Sequence, residues 1–398
     1  MRGRFREYRE SVPLTRTISV CSLALAIVAA TATAAPQVTP HAIAWGGNAQ
    51  LQCTVPAPLG PFSEVSAGMY HTAAVNLDGR VVAWGSNSAG QCRVPIALGS
   101  CSQVSAGVSH TAALTLDGTV VAWGSNQYGQ SYPPPTLGWC EEVAAGGFHT
   151  VALKPGFAGG MVVAFGLNTF GQSDVPATLP ACAQIAAGYY HSAAITMNGY
   201  AVCWGESGDL QCTVPATLPA CARIAAGRYH TVALTANGSV VVWGSNAQGQ
   251  RTVPATLGTC VAVTAGYAHT AALTTGGSVV AWGWNLYGQC TVPAALGPCV
   301  RLSGGGQHSV ALTRIDCNGN GAHDPAEIAD GTAYDINENH VPDQCDLDRG
   351  DLDLSGTVDA VDLAILLGAW YSAGPVGDVN HNGVVNAGDL SIILSNWG

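Results

Sequence analysis

Between residues 41 and 313 the chain is written in short apolar runs separated by glycine and polar residues, and the pattern returns about every forty residues. One unit, from Val261 to Pro293, contains V-A-V-T-A-G, H-T-A-A-L-T, S-V-V-A-W-G and C-T-V-P in order. Val, Ala and Thr dominate the runs, and neither helix starts nor helical periodicity occur, so strands are predicted. Asp78-Gly79, Asp117-Gly118, Asn198-Gly199 and Asn237-Gly238 fall at one equivalent turn, where a positive φ is wanted. Four short strands in a unit of this length is the spacing of a β-propeller blade. The first unit lacks its front half and begins at His41–Gly46, whereas the last keeps Leu302–Leu312 without a following Trp-Gly strand. The N-terminal strand is therefore expected to complete the last blade and seal the ring without exposed edges. The predicted fold class is all-β, a seven-bladed propeller over residues 41–313.

Seven histidines keep one register: His71, His110, His149, His191, His230, His269 and His308, with gaps of 39, 39, 42, 39, 39 and 39 residues. Trp45, Trp84, Trp123, Phe165, Trp204, Trp243 and Trp282, each followed by glycine, keep the same step. Groups that recur with the scaffold belong to it. Each histidine is read as a core residue whose ring nitrogen satisfies a backbone group, and each tryptophan as filling between blades.

The shared segments A-G-x-x-H-T-x-A-L, D-G-x-V-x-x-W-G and S-N-x-x-G-Q can be followed, with small departures, from Ala265 to Gln289. On them the chain resembles the regulator of chromosome condensation repeat family. The V-P-A-T-L and V-P-A-A-L segments also look like those of secreted β-lactamase inhibitor proteins built on that propeller. The resemblance implies a seven-bladed platform for binding proteins. The nucleotide-exchange role of the family's eukaryotic founder is not carried over, because no motif here matches an exchange wedge.

Function should lie where the units differ. Alternating strand direction puts the A-G-x-x-H and S-N-x-x-G-Q connections on one face of the ring, and the Asp-Gly turn on the other together with the paired cysteines. The variable aromatics of the first face are Tyr70, Tyr128, Phe148, Phe170, Tyr189, Tyr190, Tyr229, Tyr267, Trp284 and Tyr287. Ten aromatics with few charges resemble the enriched centre of a protein interface. Sugar stacking would use the same residues, and so would simple packing of loops on one another.

The chain ends differ from this middle. Arg2, Arg4, Arg6, Arg9 and Arg16 precede an apolar run, Ile18–Ala30, and the small residues Ala32–Ala35. That order predicts a secretory signal peptide over residues 1–35, and no later segment could span a bilayer. Cys92 and Cys101, Cys212 and Cys221, and Cys290 and Cys299 are each nine residues apart, so local disulfides are expected in an oxidising compartment. Thirteen cysteines follow the signal segment, an odd number, and none has the CxxC spacing of a redox or zinc site.

Of the net charge of −11, residues 41–313 carry eight acidic against seven basic groups, whereas residues 314–398 carry fifteen acidic against two basic. Neither part offers the basic footprint that nucleic acid requires. The acidic excess has a spacing. Oxygen ligands at positions 1, 3, 5, 9 and 12 of a loop, with a backbone carbonyl at 7, wrap a calcium ion. Asp316, Asn318, Asn320, Ala322, Asp324 and Glu327 fit that order, as do Asp335, Asn337, Asn339, Val341, Asp343 and Asp346. Asp351, Asp353, Ser355, Thr357, Asp359 and Asp362 form a third loop, and Asp378, Asn380, Asn382, Val384, Asn386 and Asp389 a fourth. The expected cofactor is Ca2+, bound by tandem EF-hand-like loops over 314–350 and by a second pair over 351–398. Cys317 and Cys345 flank the first pair and could be joined.

The third and fourth loops repeat at a 27-residue step, each followed by a short apolar helix ending near Trp370 or Trp397. Residues 351–398 thereby resemble a dockerin module, which plugs secreted proteins into cohesin partners. Ala360, Val361, Ala387 and Gly388 match the family's partner-selecting positions, although the basic pair usual after the first helix is absent. Residues 314–350 resemble the acidic calcium repeats that form stalks in secreted bacterial proteins. Together these features predict a secreted, non-catalytic binding protein, its propeller holding a protein or glycan ligand and its tail a cohesin-like partner. Two alternatives stay open. One is a part in polysaccharide degradation, as glycosidase or carbohydrate-binding subunit, for which Glu206 and Asp209 are the close carboxylate pair on the loop face. The other is inhibition of a secreted enzyme.

Overall fold

The structure, a computed structural model, describes residues 42–56, 61–156, 160–294, 296–314, 327–328, 333–334, 343–355, 357–372, 377–380 and 384–397. The expected signal segment lies outside them. No described helix is long and apolar enough to cross a membrane.

Each repeat folds into an antiparallel sheet of three strands, and the described residues form seven such sheets. The chain opens with β1 (Ala42–Gly46). The first blade is then β2 (Phe62–Ala67), β3 (His71–Asn76) and β4 (Val81–Gly85). The second is β5 (Cys101–Ala106), β6 (His110–Thr115) and β7 (Val120–Gly124), and the third β8 (Glu142–Ala145), β9 (His149–Lys154) and β10 (Met161–Gly166). The fourth is β11 (Cys182–Ala187), β12 (His191–Thr196) and β13 (Ala201–Gly205); the fifth is β14 (Cys221–Ala226), β15 (His230–Thr235) and β16 (Val240–Gly244). The sixth is β17 (Cys260–Ala265), β18 (His269–Thr274) and β19 (Val279–Gly283). The seventh joins β20 (Cys299–Gly304) and β21 (His308–Thr313) to β1, which pairs antiparallel with β21 from Ala42↔Leu312 to Gly46↔His308. The ring closes as expected.

Three strands replace the expected four. The V-P segments, such as Val94-Pro95, bend into turns, with Leu98 N–H donating to the Pro95 carbonyl at 3.0 Å. Proline offers no N–H to a ladder, and its recurrence here ends the sheet one strand early. Val94 and Leu98 nevertheless pack against the core between the first and second blades.

Middle strands are buried on both faces, because each is sandwiched between two blades. This is why H-T-A-A-L-T reads as a continuous apolar run rather than an alternation. Ala73, Ala74, Ala112 and Ala113 have no exposed surface. The core is accordingly a series of slabs between successive sheets. One slab holds Ala73 and Val75 of the first blade with Val104, Ala113 and Trp123 of the second.

Beyond the propeller, the described residues form α1 (Asp343–Arg349), α2 (Ala360–Gly368) and α3 (Ala387–Ser395). A small apolar cluster, centred on Val358, Leu366, Val379, Val385 and Ile393, links α2 and α3.

Candidate functional site

The seven histidine rings are fully buried. Each Nε2 meets a hydroxyl of the next blade: His71 with Thr111 at 2.9 Å, His110 with Thr150 at 3.0 Å and His149 with Ser192 at 2.9 Å. His191–Thr231, His230–Thr270 and His269–Ser309 continue the series, and His308–Thr72 at 2.9 Å closes it. The expected backbone partner is thus replaced by a side chain. That hydroxyl is itself committed: Thr231 Oγ1 donates to the Gln211 carbonyl at 2.8 Å, which also accepts Trp243 Nε1–H at 2.9 Å. With its single proton spent there, Thr231 can only accept, so His191 carries its proton on Nε2. Nδ1 is left bare, buried and without a hydrogen-bond partner in all seven rings. Burial pushes the imidazole of His71 down to about 3 and that of His191 to about 4. They are neutral at ordinary pH and hold one blade to the next.

The glycine three residues before each histidine is required by closeness. A Cβ on Gly107 would lie 2.4 Å from the Gly146 carbonyl oxygen and 2.5 Å from His110 Cε1. These glycines form an inner collar whose carbonyls tie blades together, for example that of Gly227, which accepts Tyr189 N–H at 3.1 Å. Inside it, the inner strands of all seven blades surround an axial cavity of about 230 Å³.

The expected division of faces holds for the loops. Ser86 N–H donates to the Tyr70 carbonyl at 2.8 Å, which brings the A-G-x-x-H and S-N-x-x-G-Q connections together. The paired cysteines do not share the other face. Cys92 Sγ donates to the Ser86 carbonyl on the aromatic side, whereas Cys101 N–H donates to the Gly79 carbonyl at the opposite end of the strands. Cys92, Cys101, Cys212, Cys221, Cys290 and Cys299 are all free thiols. Sequence spacing mistook a segment that crosses the blade's height for a local loop. Burial pushes Cys92 up to about 11 and Cys212 to about 12, so both stay protonated. Cys345 is disulfide-bonded, while Cys317 lies outside the described residues.

Nine of the ten face aromatics join into one chain of ring contacts. It runs from Tyr128 to Phe148 (5.7 Å between centroids), on to Tyr189 (5.3 Å) and Tyr190 (5.8 Å), with Phe170 on Tyr190 (5.0 Å). It continues from Tyr189 to Tyr267 (6.2 Å), which meets Tyr229 (6.2 Å) and Trp284 (5.8 Å), and ends at Tyr287 (5.3 Å from Trp284). Tyr70 stands apart from this chain. Tyr128, Phe170 and Tyr287 are exposed at its rim, and the others are half-buried.

At the centre lies Arg228, which is not among the variable aromatics of the face. Its guanidinium carbon sits 4.7 Å from the Tyr189 ring centroid, 4.5 Å from Tyr229 and 4.4 Å from Tyr267. Such contacts hold a cation by the quadrupoles of the rings. Arg228 also lines the mouth of the axial cavity. The signal was present: the first variable position of A-G-x-x-H reads Met69, Val108, Gly147, Tyr189, Arg228, Tyr267 and Gly306, with one charge among them. Glu206 is close enough to feel Arg228, but makes no ion pair with it within 4 Å; Arg301–Glu64 at 3.5 Å is the pair found among the described residues. Burial, then the neighbouring Asp209 carboxylate, holds the Glu206 carboxyl above its usual range.

In the acidic tail, Asp351, Asp353 and Asp362 bring carboxylate oxygens within 4.8 Å of one another. Asp362 is fully buried; its Oδ1 accepts Leu352 N–H at 2.7 Å and its Oδ2 accepts Asp359 N–H at 2.7 Å. The fourth loop repeats this, Asp389 accepting Asn380 N–H at 3.0 Å and Asn386 N–H at 2.8 Å. Asp359 and Asn386 cap α2 and α3 in matching capping boxes. Ala360, Val361, Ala387 and Gly388 form the first turns of these two helices, with Val361 exposed. Asp378 and Asp346 are buried, as is Glu327. Asp316, Asn318, Asn320, Ala322, Asp324, Asp335, Asn337, Asn339, Val341 and Asn382 lie outside the described residues.

Five segments, 62–91, 101–130, 182–211, 221–250 and 260–289, match the family model of the regulator of chromosome condensation (RCC1) repeat. No curated protein matches the chain. Among solved structures, yeast Prp20p from Saccharomyces cerevisiae is 18% identical with a TM-score of 0.60, covering 75% of this chain and 95% of its own. Human WBSCR16 is 18% identical with a TM-score of 0.59, covering 69% of this chain and 98% of its own. The CRINKLY ectodomain of the Arabidopsis thaliana receptor kinase ACR4 is 21% identical with a TM-score of 0.51, covering 61% of this chain and 90% of its own. At such identities the likeness shows the fold, a repeat propeller of this kind, and nothing finer.

Proposed function

We propose that the chain is a secreted, non-catalytic binding protein that takes a protein partner on the aromatic face of its propeller and is attached elsewhere through a calcium-ordered tail. The observation that carries the first half is the continuous chain of nine aromatic rings around one caged arginine. Buried aromatics with an arginine at their centre are the composition of protein-interface hot spots. A protein is favoured over a sugar because most ring pairs are edge to face, with interplanar angles of 78° to 87°. Prp20p, whose structure was described together with its binding to Gsp1p and histones, has a similar fold; this supports the class of function and not those partners.

The second half rests on the paired acidic loops. Two buried aspartates and a third carboxylate converging within 4.8 Å, in a segment with only Arg314 and Arg349 as basic residues, suit a divalent cation. Asp351, Asp353, Ser355 and Asp362 would supply side-chain oxygens, and Thr357 its carbonyl. Export is supported by the basic and then apolar N-terminal segment, and attachment to a cohesin-like partner by the 27-residue repeat of the dockerin-like tail.

The test uses the full chain, immobilised and exposed to medium from the producing cells, beside a Tyr190→Ser/Trp284→Ser variant. Capture of a defined protein by the wild type, lost in the variant with an unchanged melting curve, is expected. Equal capture by both would refute the face assignment, and hydrolysis of a polysaccharide panel by the wild type would refute the non-catalytic reading.

A further inference from the structure

The axial cavity is not symmetric, and its asymmetry coincides with Arg228. In four places around the ring, a hydroxyl of one inner strand accepts an amide N–H of the next: Ser303 from Ala67 at 3.0 Å, Ser66 from Ala106 at 2.9 Å, Ser105 from Ala145 at 2.8 Å and Thr264 from Gly304 at 2.8 Å. In the other three, the hydroxyl position is alanine: Ala144, Ala186 and Ala225. The amides that would be covered, those of Ala187, Ala226 and Ala265, have no side-chain oxygen to meet them. They point away from their own sheets, because the neighbouring glycine already donates within the hairpin, as Gly227 N–H does to the His230 carbonyl at 2.9 Å. All three line the cavity on its fourth, fifth and sixth blades. Arg228, two residues beyond Ala226, stands at the mouth in that same sector, its Nε buried and without an acceptor.

That sector of the cavity therefore carries three backbone N–H groups with no side-chain acceptor, beside the carbonyls of the same residues, and Arg228 is the one charged residue among those lining the cavity. Unmet donors in a half-enclosed site favour an anionic oxygen ligand. Three aromatic rings fix the guanidinium before any ligand arrives, which lowers the entropic cost of binding.

We propose that the axial mouth of the propeller is a carboxylate-receiving site, in which Arg228 and the amides of Ala187, Ala226 and Ala265 bind an aspartate or glutamate side chain presented by a loop of the protein partner. The proposal rests on the reading of the aromatic face as a protein-binding surface, and adds the chemistry at its centre. Glu206 opposes an incoming carboxylate by like charge and sets a sign that a purely structural role for Arg228 would not reproduce.

The experiment is a nitrogen-15 NMR titration of the full chain with the capped peptide acetyl-Ala-Gly-Asp-Gly-Ala-amide and its asparagine counterpart. The aspartate peptide is expected to shift the Arg228 Nε–H and the three alanine amides. Removing the charge with Arg228→Gln should weaken binding at least about tenfold, and Glu206→Gln should strengthen it. Ala186→Ser, which places a hydroxyl over the Ala226 amide and leaves Arg228 untouched, should also weaken it. Equal shifts with the asparagine peptide, unchanged affinity in both Arg228→Gln and Ala186→Ser, or no shift at these four groups would each overturn the proposal. If partner capture depends on Tyr190 and Trp284 but not on Arg228, the partner-binding reading stands and this one falls.

Discussion

A single hydroxyl decides how each pair of blades is joined. Thr231 accepts from His191 and donates to the Gln211 carbonyl, so it links three segments of chain with one oxygen. Replacing it by valine keeps the volume and strands a buried imidazole N–H, which costs about 1–3 kcal/mol. Thr231→Val should therefore lower the unfolding free energy by that amount in denaturant titration, whereas Thr231→Ser should retain most of it. Ser192 and Ser309 already fill the same slot in other blades. A neutral Thr231→Val would show that the histidine contact is incidental. The register made the histidines legible as scaffold, yet not their partners. The acceptor lies about forty residues away, and only the ring geometry brings it near. Arg228 could be found as the one charge at its repeat position, but its cage could not, because it is assembled from Tyr189, Tyr229 and Tyr267, one from each of three blades.

At the scale of the element, strand order and ring closure could be read from the truncated first unit. The number of strands per blade could not, because Val-Pro segments look like strands by composition and fail for want of an amide. Nor could the cysteine pairing: nine residues measure chain length, and here the chain spends them crossing from one face to the other. The α2 and α3 units show matching geometry where the sequence repeats at 27 residues. Ordering of this pair by calcium leads to a clear expectation. Adding a chelator to the full chain should lose helical circular dichroism and open residues 343–397 to protease, leaving the β signal intact. Restoring calcium at about 10⁻⁴–10⁻³ M should reverse both. Unchanged protease resistance on chelation would remove the ion from the account.

For the whole molecule, the seven buried imidazoles set the response to acid. Their folded values lie at about 3 to 4, below the ordinary 6.5, so the unfolded chain binds more protons as pH falls. Their contribution is complete above pH 6.5 and is lost progressively as pH falls toward 3. Glu142, pushed up to about 7 chiefly by burial, acts in the opposite sense, as do Glu64 and Glu206, whose carboxyls burial also raises, but they are three groups against seven. The melting temperature of the β signal should thus fall steadily between pH 6.5 and 4. A flat profile across that window would mean that the histidines are reachable by solvent.

The central claim is that partner binding uses the aromatic face and not the turns opposite. Hydrogen–deuterium exchange of the full chain with and without its captured partner tests this directly. Protection should concentrate in the loops carrying Tyr189 and Tyr190, Arg228 and Tyr229, Tyr267, and Trp284 to Tyr287, with the turns at Asp78-Gly79 and Asn198-Gly199 unchanged. Protection confined to those turns, or spread evenly around both faces, would contradict it.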